Sequence, residues 1–248
     1  MIARSFAFAA VALSGAMSMA SAAELKLLAS NGIRGPLVEL GRQFQDATGN
    51  KLVMDFDVVA PLKRRIDAGE TFDVVILSPA AIDDLIRQGK VAAASRVDYG
   101  RTGLAVGTRK GGRKPDIGTA EAFKRAMLEA KSVAYSQEGG SGQSFLKVLE
   151  RLGISADMKP RLKTYAVGGP VPTLDAELVV SGAAPILAMP ETELVGWLPA
   201  EIQVYVQFTA AISATTAEPA AALALIRHLT STGAAPVMKA RGVEPAAP

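Results

Sequence analysis

The 248-residue chain has no cysteine, one histidine and one tryptophan. Without thiols there is no disulfide framework, no thiolate nucleophile and no thiolate metal site. A single histidine cannot build a multi-histidine zinc centre, and His228 leaves no Ser-His-Asp set to assemble. It lies in the helical run AALALIRHLTS, away from the apolar stripe of Leu225, Ile226 and Leu229, and reads as a solvated helix residue. No metal and no cofactor is expected. Charge of one sign is also scarce. Lys and Arg number 27 against 24 Asp and Glu, a net charge of +3, too small and too scattered to argue for nucleic acid. Beyond the first residues, no apolar run is long enough to cross a bilayer.

Those first residues, MIARSFAFAAVALSGAMSMASA, have the three parts of a secretory signal. Arg4 is a thin basic region, Phe6 to Met17 an apolar stretch too short for a stable span, and Ala20-Ser21-Ala22 a cleavage site. Residues 1–22 are therefore expected to be a signal peptide. An exported chain without disulfides suits a bacterial periplasm. About 226 residues remain after cleavage, enough for one large or two small lobes with a real core.

The rest alternates short apolar runs with helical periodicity, the grammar of an α/β fold with mostly parallel strands. LKLLAS (25–30) reads as a strand. The helix after it has the apolar face Leu37, Leu40, Phe44 and Ala47 and ends at Gly49. KLVMDFDV (51–58) and FDVVILS (72–78) repeat the pattern, their helices closed by Gly69 and Gly89. Further on come a strand at RTGLAVGT (101–108), a helix over 119–130, the strand SVAYS (132–136), and a helix over 141–152 closed by Gly153. A helix over 172–181 closed by Gly182, the strand PILAM (185–189), the strand QVYVQFTAAIS (203–213) and two closing helices complete the reading.

In an open α/β sheet, ligands bind where strands end and helix N-termini present unpaired amides. Three such junctions carry hydroxyl or amide donors: Ser30-Asn31 after the first strand, Ser78 after the third, and YSQEGGSGQSF (135–145) after SVAYS. In that loop Ser136 and Ser141 offer hydroxyls, Ser141 as the helix N-cap. Glycines 139, 140 and 142 let the backbone approach a ligand closely. The chemistry such a loop suits is anion binding.

With this order of elements, the segments LKLLASNG, FQDATG, RRIDAGETFDVVIL, IDDLIRQGKV, KSVAYS with its GGSG loop, LERLGI, ELVVSGAAPI and VMKARGVEP resemble the type II periplasmic substrate-binding proteins, in particular the group around the molybdate binders. The resemblance covers the chain from Leu25 to its end. It implies two lobes, 23–100 with 201–248 and 101–200, each a mostly parallel sheet flanked by helices, closing on a ligand by hinge motion. It further implies a monomeric receptor that hands a small anion to an inner-membrane ABC permease.

The chain departs from the molybdate pattern in two places. Where those proteins have a Gly-Ser-Ser-Gly type segment and a late tyrosine, it has Asp57-Val58-Val59-Ala60 and Ala188-Met189-Pro190. Each oxyanion oxygen left without a donor would cost about 1–3 kcal/mol. Cations stand in for the lost donors. Arg101, at the start of the strand joining the lobes, and Arg34, near the first helix N-terminus, are the expected carboxylate clamps, because a guanidinium matches a carboxylate with two parallel hydrogen bonds. A small di- or tricarboxylate is thus expected over molybdate. Some relatives resemble aconitate isomerases. That activity would need a general base, for which Glu138, Glu191 and Glu193 are the candidate carboxylates.

Overall fold

The computed structural model describes residues 22–165 and 175–247. The signal segment expected over 1–22 lies, except for Ala22, outside the described residues. Three βα units open the fold: β1 (Glu24–Ser30), α1 (Arg34–Thr48), β2 (Lys51–Asp57), α2 (Val59–Asp67), β3 (Val74–Leu77) and α3 (Pro79–Arg87). β1 pairs in parallel with both β2 and β3. α1 buries Leu37, Leu40 and Phe44 at helical spacing. It ends where Gly49 takes φ 75°, a left-handed cap that a side chain would disfavour.

β4 (Val97–Arg109) joins the two halves of the sheet. Its first part pairs antiparallel with β9 (Tyr205–Ile212), and its second part with β7 (Leu178–Gly182) and β8 (Thr192–Trp197). β5 (Val133–Ser136) lies parallel between β7 and β6 (Leu162–Tyr165). The strand order is β2-β1-β3-β9-β4-β7-β5-β6, with β8 and the short β10 (Glu244–Pro245) on β4. The remaining helices are α4 (Ala120–Glu129), α5 (Gly140–Arg151), α6 (Ser155–Met158), α7 (Ala183–Ala188), α8 (Pro219–Leu229) and α9 (Ala235–Ala240).

Apolar side chains divide the same way. One core, around Leu25, Phe44, Phe208 and Leu225, draws on the near half, β2-β1-β3-β9, with Ala184 of α7 added from beyond it. A second, around Val106, Phe123, Phe145 and Leu149, fills the far half, β7-β5-β6. Full burial of a residue such as Phe145 contributes roughly 1.5–3 kcal/mol.

The segment around Gly182 corrects the sequence reading. Leu178–Gly182 is a strand and Ala183–Ala188 a helix, the reverse of the expected order. Residues 172–174 of the expected helix lie outside those described. Leu178-Val179-Val180 is buried on both faces, between antiparallel β4 and parallel β5, so it shows no alternation to mark it as a strand. Gly182 precedes α7 as its N-cap and Pro185 sits in the first turn, where its missing N–H costs nothing. His228 is not a solvated residue either. Its ring packs 5.8 Å from Phe44, and Nε2 donates to the Leu40 carbonyl at 3.1 Å, joining α8 to α1.

Candidate functional site

The ends of β1, β2, β3, β5, β6 and β7 open onto one cavity of about 590 Å³ between the near and far halves. At the end of β1, the Ser30 hydroxyl accepts the Gly32 N–H at 3.4 Å, and the chain turns into α1 with Asn31 and Arg34 on the cavity wall. A Cβ on Gly32 would meet the buried Phe208 ring at 2.9 Å, so a larger residue here would have to displace that ring. At the end of β2, the Asp57 carboxylate accepts the Val58 N–H at 2.7 Å. Val59 and Ala60, whose first-turn amides have no intrahelical partner, line the cavity. Ser78 precedes α3 without capping it, so its hydroxyl is left for the cavity.

The far wall is built on the loop after β5. Ser136 accepts the Gly139 N–H at 3.1 Å, and Gly139, not Ser141, is the N-cap of α5. A Cβ on Gly142 would stand 1.6 Å from the Ser136 carbonyl oxygen, so only glycine lets α5 start this close to β5. Ser141, in the first turn, lies 3.4 Å from the Ser181 hydroxyl instead of capping. Tyr165, at the end of β6, completes this wall; burial pushes its phenol pKa up, and the nearby Ser181 hydroxyl offsets part of that rise.

Among the described residues, three charged side chains line the cavity. Lys63 is held by Asp84 at 2.7 Å and Asp67 at 2.9 Å, which raise its pKa, Asp84 first. Arg34 stacks 5.1 Å over the Phe56 ring and has no carboxylate partner among the described residues. Glu138 is the single carboxylate among the described lining residues, and no cation pairs with it there.

Of the expected ligand residues, the structure brings together Ser30, Asn31, Arg34, Ser78, Ser136 and Ser141. Arg101 is a correction. It lies outside this cavity, bonded to Glu244 at 2.8 Å and stacked 3.9 Å over Tyr205. On a strand, neighbouring side chains face opposite ways, and it is Thr102 that faces the cavity. Of the candidate bases, Glu138 is in place. Glu191 and Glu193 are not among the lining residues. Glu193 is engaged by Lys114 at 2.9 Å and the Gly111 N–H at 2.9 Å, with Lys114 the main cause of its lowered pKa. Asp73, just before β3 and so at the end of that strand away from the cavity, accepts the Lys26 N–H at 2.8 Å.

Tyr165, Ser181 and Lys63 were missed. The strand-end rule that found Ser136 would have found Tyr165 had LKTY been read as a strand, and Ser181 was hidden by the inverted assignment. The donor deficit read from the sequence is also made up in the fold. Val59 and Ala60 line the cavity where the expected serines are absent, and Tyr165 of β6 lines it although no tyrosine stands at 188–190.

Strand ends and helix N-termini meeting across a cavity, in two half-sheets joined by one long strand, define the two-lobed fold of periplasmic binding proteins. The family of bacterial extracellular solute-binding proteins matches residues 25–244, and the chain belongs to it. It is 33% identical over 230 residues to an aconitate isomerase of Pseudomonas sp., covering 89% of this chain and 87% of that one. It is 24% identical to the molybdate-binding protein ModA of Azotobacter vinelandii, covering 90% of each. The solved structure of the Azotobacter vinelandii periplasmic molybdate-binding protein superposes with a TM-score of 0.75 at 23% identity, over 90% of this chain and 99% of that one. Among the described residues, no helix is long and apolar enough to cross a membrane.

Proposed function

We propose that the chain is a periplasmic receptor that captures a small organic di- or tricarboxylate between two lobes, 23–100 with 201–248 and 101–200, and delivers it to an inner-membrane ABC permease after removal of the leader over 1–22. The observation that carries this reading is Arg34, a cation in the cavity with no carboxylate partner among the described residues. Hydroxyls of Ser30, Ser78 and Ser136 and the first amides of α2 add donors without adding charge. Size supports an organic ligand. A cavity of about 590 Å³ falls within the roughly 300–1,000 Å³ common for organic ligands, and a five-atom oxyanion would leave much of it to water. Val58, Val206 and Phe208 offer apolar surface to a carbon skeleton. β4 crosses between the halves and is the natural place for hinge closure.

Thermal unfolding against molybdate, tungstate, sulfate, citrate and both aconitate isomers tests this. Ligand at about a hundred times its Kd adds roughly 2.7 kcal/mol, a rise of about 5–10 °C for a chain of this size. The reading expects that rise with carboxylates. A rise with molybdate or tungstate alone would overturn it.

A second reading, isomerisation of the captured tricarboxylate, is favoured by two observations: Glu138 faces the cavity, and the relative at 33% identity is an aconitate isomerase. Glu138 would take a carbon-bound proton next to a carboxylate, the double bond would shift along the allylic system, and the carboxyl group, having exchanged its proton with solvent, would return one at the far end. No oxidant or cofactor is consumed. Proton NMR of cis- and trans-aconitate in heavy water separates the readings. Interconversion with deuterium uptake, lost in Glu138→Gln, marks an enzyme, and tight binding of unchanged ligand marks a receptor.

A further inference from the structure

Three hydroxyls from three separate elements meet on the far wall: Tyr165 from the end of β6, Ser181 from β7 and Ser141 from the first turn of α5. We propose that Tyr165 is a positioning residue for the bound anion: through Ser181 it holds the Ser141 hydroxyl with its proton turned into the cavity, a relay whose outer end donates to a ligand oxygen. This rests on the reading that an anion occupies the cavity.

A hydroxyl has one proton and two lone pairs, so a chain of three can run in either direction. An anion at the outer end accepts only the direction in which Ser141 donates outward. Ser141 then accepts from Ser181, and Ser181 from Tyr165. Ser181 is 2% exposed, which leaves bulk water little room as an alternative partner. Burial pushes the Tyr165 phenol pKa up by more than the Ser181 hydroxyl lowers it, so the head of the chain keeps its proton. The Ser141–Ser181 separation of 3.4 Å is long beside the roughly 2.8 Å of a strong hydroxyl pair. It is the part expected to shorten when an anion aligns the chain, since each bond of such a row strengthens the next. The ring of Tyr165 packs on the small cluster of Ala134, Val179 and Ile186. A phenylalanine would fill the same space, so the hydroxyl is what the relay requires.

The test is a double-mutant cycle read by calorimetric titration. Wild type, Tyr165→Phe, Ser141→Ala and the double variant are titrated with citrate, trans-aconitate and molybdate, and the thermal midpoint of each unliganded protein is measured alongside. The expected result is an affinity loss of about fivefold for Tyr165→Phe and about tenfold or more for Ser141→Ala. The double variant should bind no worse than Ser141→Ala alone, with the unliganded midpoint of Tyr165→Phe unchanged. Losses that multiply would show that Tyr165 touches the ligand itself and would overturn the relay. No loss in Tyr165→Phe, or a loss that tracks a lowered unliganded midpoint, would overturn it too. If molybdate binds and the carboxylates do not, the carboxylate assignment fails and the same cycle on molybdate still decides the relay. If nothing binds wild type, both fall.

Discussion

The two walls of the cavity are made of different chemistry. The near wall holds Arg34 and Lys63 with first-turn amides of α2, while the far wall holds Ser136, Ser141, Ser181 and Tyr165 around an α5 that starts on glycines. Lys63 is already committed to Asp84 and Asp67, which leaves Arg34 as the near wall's available charge. The far wall offers dipoles alone, apart from the Glu138 carboxylate. Charge attracts a distant anion, and a fixed set of hydroxyls selects its shape once it has arrived. One lesson is that an arginine's value to a ligand depends on what else holds it. Arg34 and Arg101 each lie over an aromatic ring, yet Glu244 takes Arg101.

The comparison breaks most severely at Gly142. Gly142→Ala places a methyl against the Ser136 carbonyl, so α5 has to move off β5. We expect a loss of about 3 kcal/mol in urea unfolding, together with loss of binding. A variant of wild-type stability would mean that the far wall tolerates rearrangement.

Next in size, Arg34→Ala should weaken carboxylate binding by about 10–100-fold and flatten its dependence on salt, as expected when a charge-assisted hydrogen bond is removed. Calorimetric titration at two ionic strengths checks both. If Ser141→Ala flattened the salt dependence instead, the assignment of charge to the near wall would be wrong.

Acid should loosen the near half first. Glu70 is held at about 2, below its ordinary 4.5, mainly by Arg65 and then by Lys26. Its contribution is present above its ordinary pKa and is lost as pH falls from there toward 2. The midpoint of the unliganded protein should therefore fall over that window, and Glu70→Gln should flatten the fall. The smallest effect belongs to Arg101→Ala. It breaks an exposed pair with Glu244 and should cost under about 1 kcal/mol, with affinity unchanged within about twofold. A large affinity loss there would restore Arg101 to the site.

Much of the near half was legible because its signals are local. Apolar spacing gave α1, and Gly49, Gly69 and Gly89 do take positive φ just after α1, α2 and α3. The loop at 135–145 was legible for the same reason, because its serines and glycines follow a short strand directly. The far half was harder. Leu178–Gly182 is buried on both faces, so its apolar run fits helix or strand equally until β4 and β5 are placed beside it. Arg101 finds Glu244 across 143 positions, a pairing that no window of sequence contains.

The sequence by itself determined the α/β grammar, the helix ends and the hydroxyl-bearing junctions, because each depends on residues within a few positions of one another. The tertiary structure alone decided which strands stack beside β4, which arginine has no carboxylate partner among the described residues, and that Tyr165, Ser181 and Ser141 share one wall. Those outcomes depend on distances between residues far apart in the chain, and packing sets such distances only after the sheet has formed.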